Sequence, residues 1–187
     1  MSNLTKKALA DTLMDELNKK PLDKITVQEL TDKCGLTRNT FYYHFRDIYD
    51  LLSHIFLDEM EYLRVQYAEK LDWEDGLEYG LNYLYEHKAA IKNINESSSH
   101  DLLSRFMNHV ANEHSVAVIK LEYNNPDNEL DPATLKIVAK FYKSALLGAL
   151  LDWIATDMKD PPGELAKYYN AMFRGTFEAA IQSARSI

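Results

Sequence analysis

From Thr37 to His44 the chain carries a near-continuous run of hydrogen-bonding side chains: Thr37, Arg38, Asn39, Thr40, Tyr42, Tyr43 and His44, interrupted by Phe41. Such groups suit nucleic acid. Arginine matches guanine and asparagine matches adenine, each through paired hydrogen bonds in the major groove. Arg38 and Asn39 are therefore the candidates for base edges. Hydroxyl and imidazole groups suit phosphate oxygens, a role that fits Thr37, Tyr42, His44 and, further upstream, Thr26. Tyr43 fits either role, and Thr40 shares their outer side.

Helical geometry is what would hold these residues in one row. Phe41 and Phe45 stand four residues apart, so one helix face can bury both and turn the polar run outward. Thr37 can cap that helix. Gly35, just before it, allows the positive φ of a tight helix-to-helix turn. Upstream, Thr26 and Glu29 have capping-box spacing, with Val27 and Leu30 as the apolar side and Cys34 near the end. Two short helices about a glycine, with a polar outer face on the second, describe a helix-turn-helix.

These residues resemble the DNA-binding half of the TetR family of bacterial transcriptional regulators. The likeness rests on Ile25-Thr26-Val27, on Cys34-Gly35-Leu36-Thr37, on Phe41-Tyr42-Tyr43-His44-Phe45, and on Leu51-Leu52 opening the next helix. It covers roughly residues 5 to 55. The resemblance implies a lysine that contacts phosphate three residues after Phe45, but this chain has Ile48 there. Arg46, or the backbone N–H groups starting the fourth helix, could take over that contact. A fainter likeness lies in Leu151-Asp152-Trp153-Ile154, Met158, Pro161 and Glu164-Leu165, which resemble a subgroup described as dihydroxyacetone kinase regulators. In part of that subgroup the signal arrives through a protein partner.

The 187 residues are 46% hydrophobic, enough for a small head and a larger body. No apolar run is long enough to span a membrane. The start, Met1 to Lys7, lacks the apolar centre of a signal peptide, and the single cysteine, Cys34, cannot form an internal disulfide. Both suit the cytoplasm. The net charge of −8 is unusual for a DNA binder. It is unevenly placed: residues 1–52 hold eight basic and eight acidic side chains, so the deficit lies in the rest. An acidic body would turn a neutral head toward DNA by repulsion, and a neutral head implies modest non-specific affinity with a shallow salt dependence.

Periodicity predicts a first helix from about Thr5 to Lys19, with Ala8, Leu9, Leu13, Met14 and Leu17 on its apolar side and Pro21 beyond its end. A fourth helix starts near Asp47, which can cap it with Asp50 in the first turn, and runs to about Leu71. A fifth covers Trp73 to about Ile94, and a sixth Asp101 to about Glu122, with a break near Glu113-His114-Ser115. Asn124 to Asn128 reads as a loop, and Asp131-Pro132 opens a helix reaching about Met158. That helix has one apolar face through Leu135, Val138, Tyr142, Ala145, Ala149 and Trp153, and another through Ile137, Phe141, Ser144, Gly148 and Leu151. The last helix, to about Arg185, is apolar around more than half its girth. A surface helix needs one apolar stripe, so the second stripe calls for a partner copy.

The expected fold is all-α: an N-terminal three-helix helix-turn-helix head, residues 1–50, and a C-terminal helical regulatory and dimerisation body, residues 51–187. Dimerisation would run through the last two long helices. The expected function is a DNA-binding transcriptional regulator, a repressor, gripping a palindromic operator as a homodimer. The alternative is a helical interaction module or co-activator with weak DNA binding and a protein partner as signal. An unknown small-molecule inducer or protein partner would act on the body. Tyr83, Phe106, His109, Phe141 and Tyr142 are the candidates to line a pocket, although aromatic residues at helical spacing are more often plain core. No metal and no cofactor are expected: the histidines form no HxxxH or HExxH pair. Neither a nucleophile elbow nor a phosphate-cradling glycine loop is present, so enzymatic function is not expected.

Overall fold

Leu9, Leu13 and Leu17 recur every four residues and are all fully buried, which makes them the inner stripe of the first helix, α1 (Ser2–Leu17). The computed structural model describes residues 2–68, 73–97, 101–109, 111–112 and 132–184. After α1 a 3-10 turn (Leu22–Lys24) leads into α2 (Val27–Cys34), α3 (Arg38–His44) and α4 (Ile48–Leu63). Then come α5 (Trp73–Glu86), α6 (Lys88–Asn95), helical residues 101–109 (α7), α8 (Pro132–Ala155) and α9 (Pro162–Ala184). No strand occurs among the described residues, so the fold is all-α. None of the described helices is long and apolar enough to cross a membrane.

The chain divides into two compact units, Met1–Glu61 with His87–Phe106, and Tyr62–Glu86 with Met107–Ile187. In the first unit α1 ends earlier than periodicity predicts, at Leu17, and Lys19 and Lys20 turn back to donate to the Glu16 carbonyl. The Leu17 carbonyl, which has no partner inside α1, accepts from Asn93 Nδ2 of α6 at 2.7 Å. Ala90, Ile91 and Ile94 of α6 are fully buried in the same unit. Here the expected single helix from Trp73 to Ile94 is corrected: it breaks at His87. The reason is tertiary. Leu81 and Leu84 of α5 bury in the second unit, whereas α6 serves the first, and one uninterrupted period cannot aim at two cores.

An ion-pair network fastens α1 to α2. Glu16 is 3% exposed, and its Oε1 lies 2.7 Å from Lys19 Nζ and 2.5 Å from Lys33 Nζ. Lys20 Nζ reaches both carboxylate oxygens of Glu29 at 2.8 and 2.6 Å. Hydrogen bonds from Lys19 and then Lys33, working against burial, lower the Glu16 carboxyl to about 2. A carboxyl whose folded value is depressed stabilises the fold above its ordinary value, near 4.5, and loses that contribution as pH falls toward 2. Glu16→Gln is therefore expected to lower stability by about 1–2 kcal/mol at neutral pH. The difference from the parent should vanish in acid. Urea melts at several pH values would show it; a gap unchanged across that window would refute the assignment.

Past Leu63 the fourth helix widens into a π-helical turn, Arg64–Ala68, rather than continuing as the even α-helix expected to Leu71. The wider turn re-aims the side chains that follow it. Residues 69–72, and the expected end of that helix, lie outside the described residues. So do the C-terminal part of the sixth helix with its break near Glu113-His114-Ser115, the Asn124–Asn128 loop and the cap residue Asp131.

In the second unit α9 packs against α5 and α8. Leu135 and Phe177 are buried together, with Val138, Tyr142 and Phe173 against them. Tyr142 donates to Thr176 Oγ1 at 3.0 Å, and Thr176 donates to the Met172 carbonyl at 2.6 Å. α8 stops at Ala155, short of the expected Met158. Asp157 and Met158 adopt positive φ of 64° and 44°, and Met158 N–H closes back on the Trp153 carbonyl at 2.8 Å. This is a Schellman-type ending in which Asp157 stands where glycine is usual. Met158 is 2% exposed and Trp153 3%, and the Trp153 indole N–H donates to the Asp160 carbonyl at 3.1 Å, tying down the turn into α9.

The two faces of α8 differ in exposure, although Ala145 on the inward face is exposed and Leu151 on the other is half-buried. Leu135 and Trp153 are buried, while Ile137 and Phe141 are each 70% exposed in the single chain, with Ser144 and Gly148 also exposed. On α9, Tyr168 and Met172 are 67% and 55% exposed.

Candidate nucleic-acid interface

The recognition segment is built by short-range bonds that the sequence spacing implies. Thr26 Oγ1 accepts the Glu29 N–H at 3.2 Å and starts α2. The Glu29 carboxylate goes to Lys20. Gly35 closes α2 in the left-handed region at φ 65°, its N–H and that of Leu36 returning to the last turn. Thr37 Oγ1 accepts the Thr40 N–H at 3.2 Å, and the two hydroxyls meet at 2.9 Å. Phe41 is fully buried and Phe45 is 4% exposed. Phe45 itself ends α3 in extended conformation, its N–H bonded to the Phe41 carbonyl. The helix is thus capped at both ends and anchored from behind.

Its outer side is open. Arg38 and Asn39 are exposed, and Tyr42 and Tyr43 are 57% and 84% exposed. Among the described residues the side chains of these four make no hydrogen bond. His44 is half-buried, with its ring 5.0 Å from that of Tyr43 in an edge-on contact. Thr40 is half-buried and its hydroxyl is engaged with Thr37. Thr26 and Thr37 are exposed, and a capping hydroxyl that accepts an N–H still has its own proton to donate, as a phosphate contact needs. Lys6 was not singled out by sequence reasoning. Its Nζ lies 5.9 Å from the centre of the Phe45 ring, which brings an α1 cation beside the end of α3. Nothing in the local spacing reveals that approach.

At the start of α4 Asp47 takes the capping place that its position suggests, which bears on the phosphate contact. Ile48 is 9% exposed and belongs to the core. Asp47 Oδ1 accepts the Asp50 N–H at 2.8 Å, so a carboxylate already occupies the place where a phosphate was expected. Asp50 Oδ2 accepts the Arg46 backbone N–H at 2.9 Å. Arg46 Nε lies 3.1 Å from Asp47 Oδ2, so its charge is offset locally. Burial pushes the Asp47 carboxyl up, but the Asp50 N–H and the Arg46 guanidinium outweigh that and hold it below its ordinary value.

The body candidates fall in different surroundings. Phe106 is buried in the first unit, stacked on Phe56 with ring centres 4.3 Å apart. Tyr142 belongs to the cluster with Phe173 and Phe177. Phe141 is solvent-facing and His109 is exposed. Tyr83 is half-buried and stacks 6.5 Å from Tyr79, which in turn lies 5.3 Å from Tyr62.

Comparison with known proteins agrees with this geometry. The family model for bacterial regulatory proteins of the tetR family matches residues 9–55, and that for a transcriptional regulator C-terminal region matches residues 72–175. Among curated proteins no match is found. Among solved structures, the dihydroxyacetone kinase operon activator DhaS aligns with a TM-score of 0.80 at 18% identity, over 94% of this chain and 97% of its own. A tetR-family regulator from Streptomyces coelicolor aligns at 0.63 with 14% identity, over 98% and 89%. NalD, the secondary repressor of the MexAB-OprM multidrug efflux pump in Pseudomonas aeruginosa, aligns at 0.63 with 18% identity, over 94% and 97%. Capped recognition helix, all-helical body and both family matches agree: the chain belongs to the TetR family and is a DNA-binding transcriptional regulator, not an enzyme.

Proposed function

We propose that the protein represses transcription from the cytoplasm by binding a palindromic operator as a homodimer. Residues 1–50 form the DNA-binding domain, and residues 51–187 form the regulatory and dimerisation domain. The observation that carries this reading is the outward row on α3, open to solvent and anchored by Phe41 and Phe45. Arg38 and Asn39 read base edges, Tyr43 reads a base edge or phosphate, and Thr26, Thr37, Tyr42 and His44 hold phosphates. Thr40 orders the helix start through Thr37. The exposed stripes of α8 and α9 supply the dimer contact. Two heads then meet half-sites one helical turn, about 34–36 Å, or a small multiple apart. A signal received by the body, a small molecule or a protein partner, shifts the dimer between two head spacings.

A second reading concerns the sign of regulation. DhaS is an operon activator, and its alignment over nearly the full length favours activation as the alternative. Selection of duplexes from a randomised pool, followed by sedimentation of the complex, tests the main reading. Two chains on a two-fold symmetric sequence are expected. One chain on an asymmetric sequence would overturn the operator and dimer assignments.

A further inference from the structure

The cations of residues 1–52 fall into two sets. Lys19, Lys20, Lys33 and Arg46 each form an ion pair, with Glu16, Glu29 or Asp47. Lys6, Lys7, Lys24 and Arg38 form none among the described residues. Lys6 stands apart within the second set. It is half-buried on α1, and its Nζ lies 5.9 Å from the centre of the Phe45 ring. The His44 ring stands 6.3 Å from the same centre. An α1 cation and the last side chain of α3 are thus gathered around one aromatic ring. A ring contact orients an ammonium without neutralising it, so its charge and its N–H donors stay available.

We infer that Lys6 is a phosphate-binding residue, which grips the DNA backbone at the end of α3. This rests on the proposed assignment of α3 to the duplex. The seven residues of α3 make a helix about 10 Å long, close to the roughly 12 Å width of the major groove. A helix of that length reaches from one wall of phosphates to the other. At its start Thr37 offers a hydroxyl. At its end the residues next in sequence offer no free cation: Arg46 is paired with Asp47, and Ile48 is buried. Lys6 brings the missing charge to that end from a different helix, beside the imidazole of His44.

Lys6→Gln tests this in the full-length protein, because it removes the charge and keeps a helix-forming side chain. Fluorescence anisotropy is read on a duplex selected by the parent from a randomised pool and on a scrambled duplex. A dimer loses one phosphate contact per head, so the salt slope should become shallower by about 1.8. Affinity should fall roughly tenfold or more on both duplexes, since the contact carries no sequence information. Lys6→Arg keeps the charge and should stay within about threefold of the parent. Lys7→Gln removes the same charge one residue away, from an exposed side chain, and should change the slope by less than about 0.5. Ethylation interference gives a second reading: of the phosphates whose ethylation weakens the parent, one in each half-site should cease to matter in Lys6→Gln. If Lys6→Gln keeps the parent's slope, or only matches Lys7→Gln, or leaves every interfering phosphate in place, this inference fails while the DNA assignment stands. If the parent binds no duplex, both fail.

Discussion

Arg38→Ala is expected to abolish sequence-specific DNA binding. A well-formed arginine–guanine contact discriminates by about 1–3 kcal/mol, and a symmetric dimer loses it twice. The combined loss of about 2–6 kcal/mol corresponds to roughly 30-fold at the least and more than a thousandfold at the upper end. Tyr42→Ala should weaken binding to selected and random duplexes alike, because a phosphate contact carries no sequence information. Neither change should disturb the fold. Arg38 and Tyr42 are exposed, and the helix is secured by Thr37 at its start and by the two buried phenylalanines. Anisotropy on a selected duplex, beside thermal melts, separates the two variants. Unchanged affinity in Arg38→Ala would remove α3 as the reading helix.

The second large effect is expected at Gly148, where stability within a chain and association between chains should move in opposite directions. Gly148 sits inside α8 on its exposed side, and a Cβ built there meets no atom within 4 Å. Within one chain, then, a larger residue fits, and replacing glycine in a helix interior gains about 0.5–1 kcal/mol. The neighbouring Ile137 and Phe141 are each 70% exposed. Burial of such side chains contributes about 1.5–3 kcal/mol apiece. A second copy covering this stripe would bring helices together where Gly148 leaves room. Gly148→Leu should therefore split the dimer by 100-fold or more in dissociation constant, with operator affinity falling alongside it, while helicity is kept. Sedimentation equilibrium and circular dichroism measure the two effects separately. A Gly148→Leu protein that remains a dimer of parental affinity would show that the stripe is not the contact between copies.

The head is readable from sequence because its determinants are local. A cap and its acceptor stand three residues apart, the left-handed turn needs Gly35, and Phe41 and Phe45 mark one face by spacing alone. The body yields less. The break at His87 follows from which unit each helix segment serves, and no residue at the break announces it. The end of α8 was harder to read because Asp157, not glycine, takes the left-handed position. Phe141 and Tyr142 are neighbours of similar chemistry, but one faces solvent and the other lies in a cluster with Phe173 and Phe177. Composition cannot distinguish them, because only the direction of the neighbouring helix decides which one is covered. At α4 the capping place of Asp47 was legible from its position before the helix, but that its carboxylate also offsets Arg46 required coordinates.

The bond from Asn93 to the end of α1 bears on how this protein could be taken apart. A graft that joins residues 1–61 to a foreign body would leave the first helix without the neighbour that finishes its last turn and covers its leucines. A transplantable reading head must bring the segment around α6 with it, so chimeras cut at a single point should be judged by whether that second piece travels too.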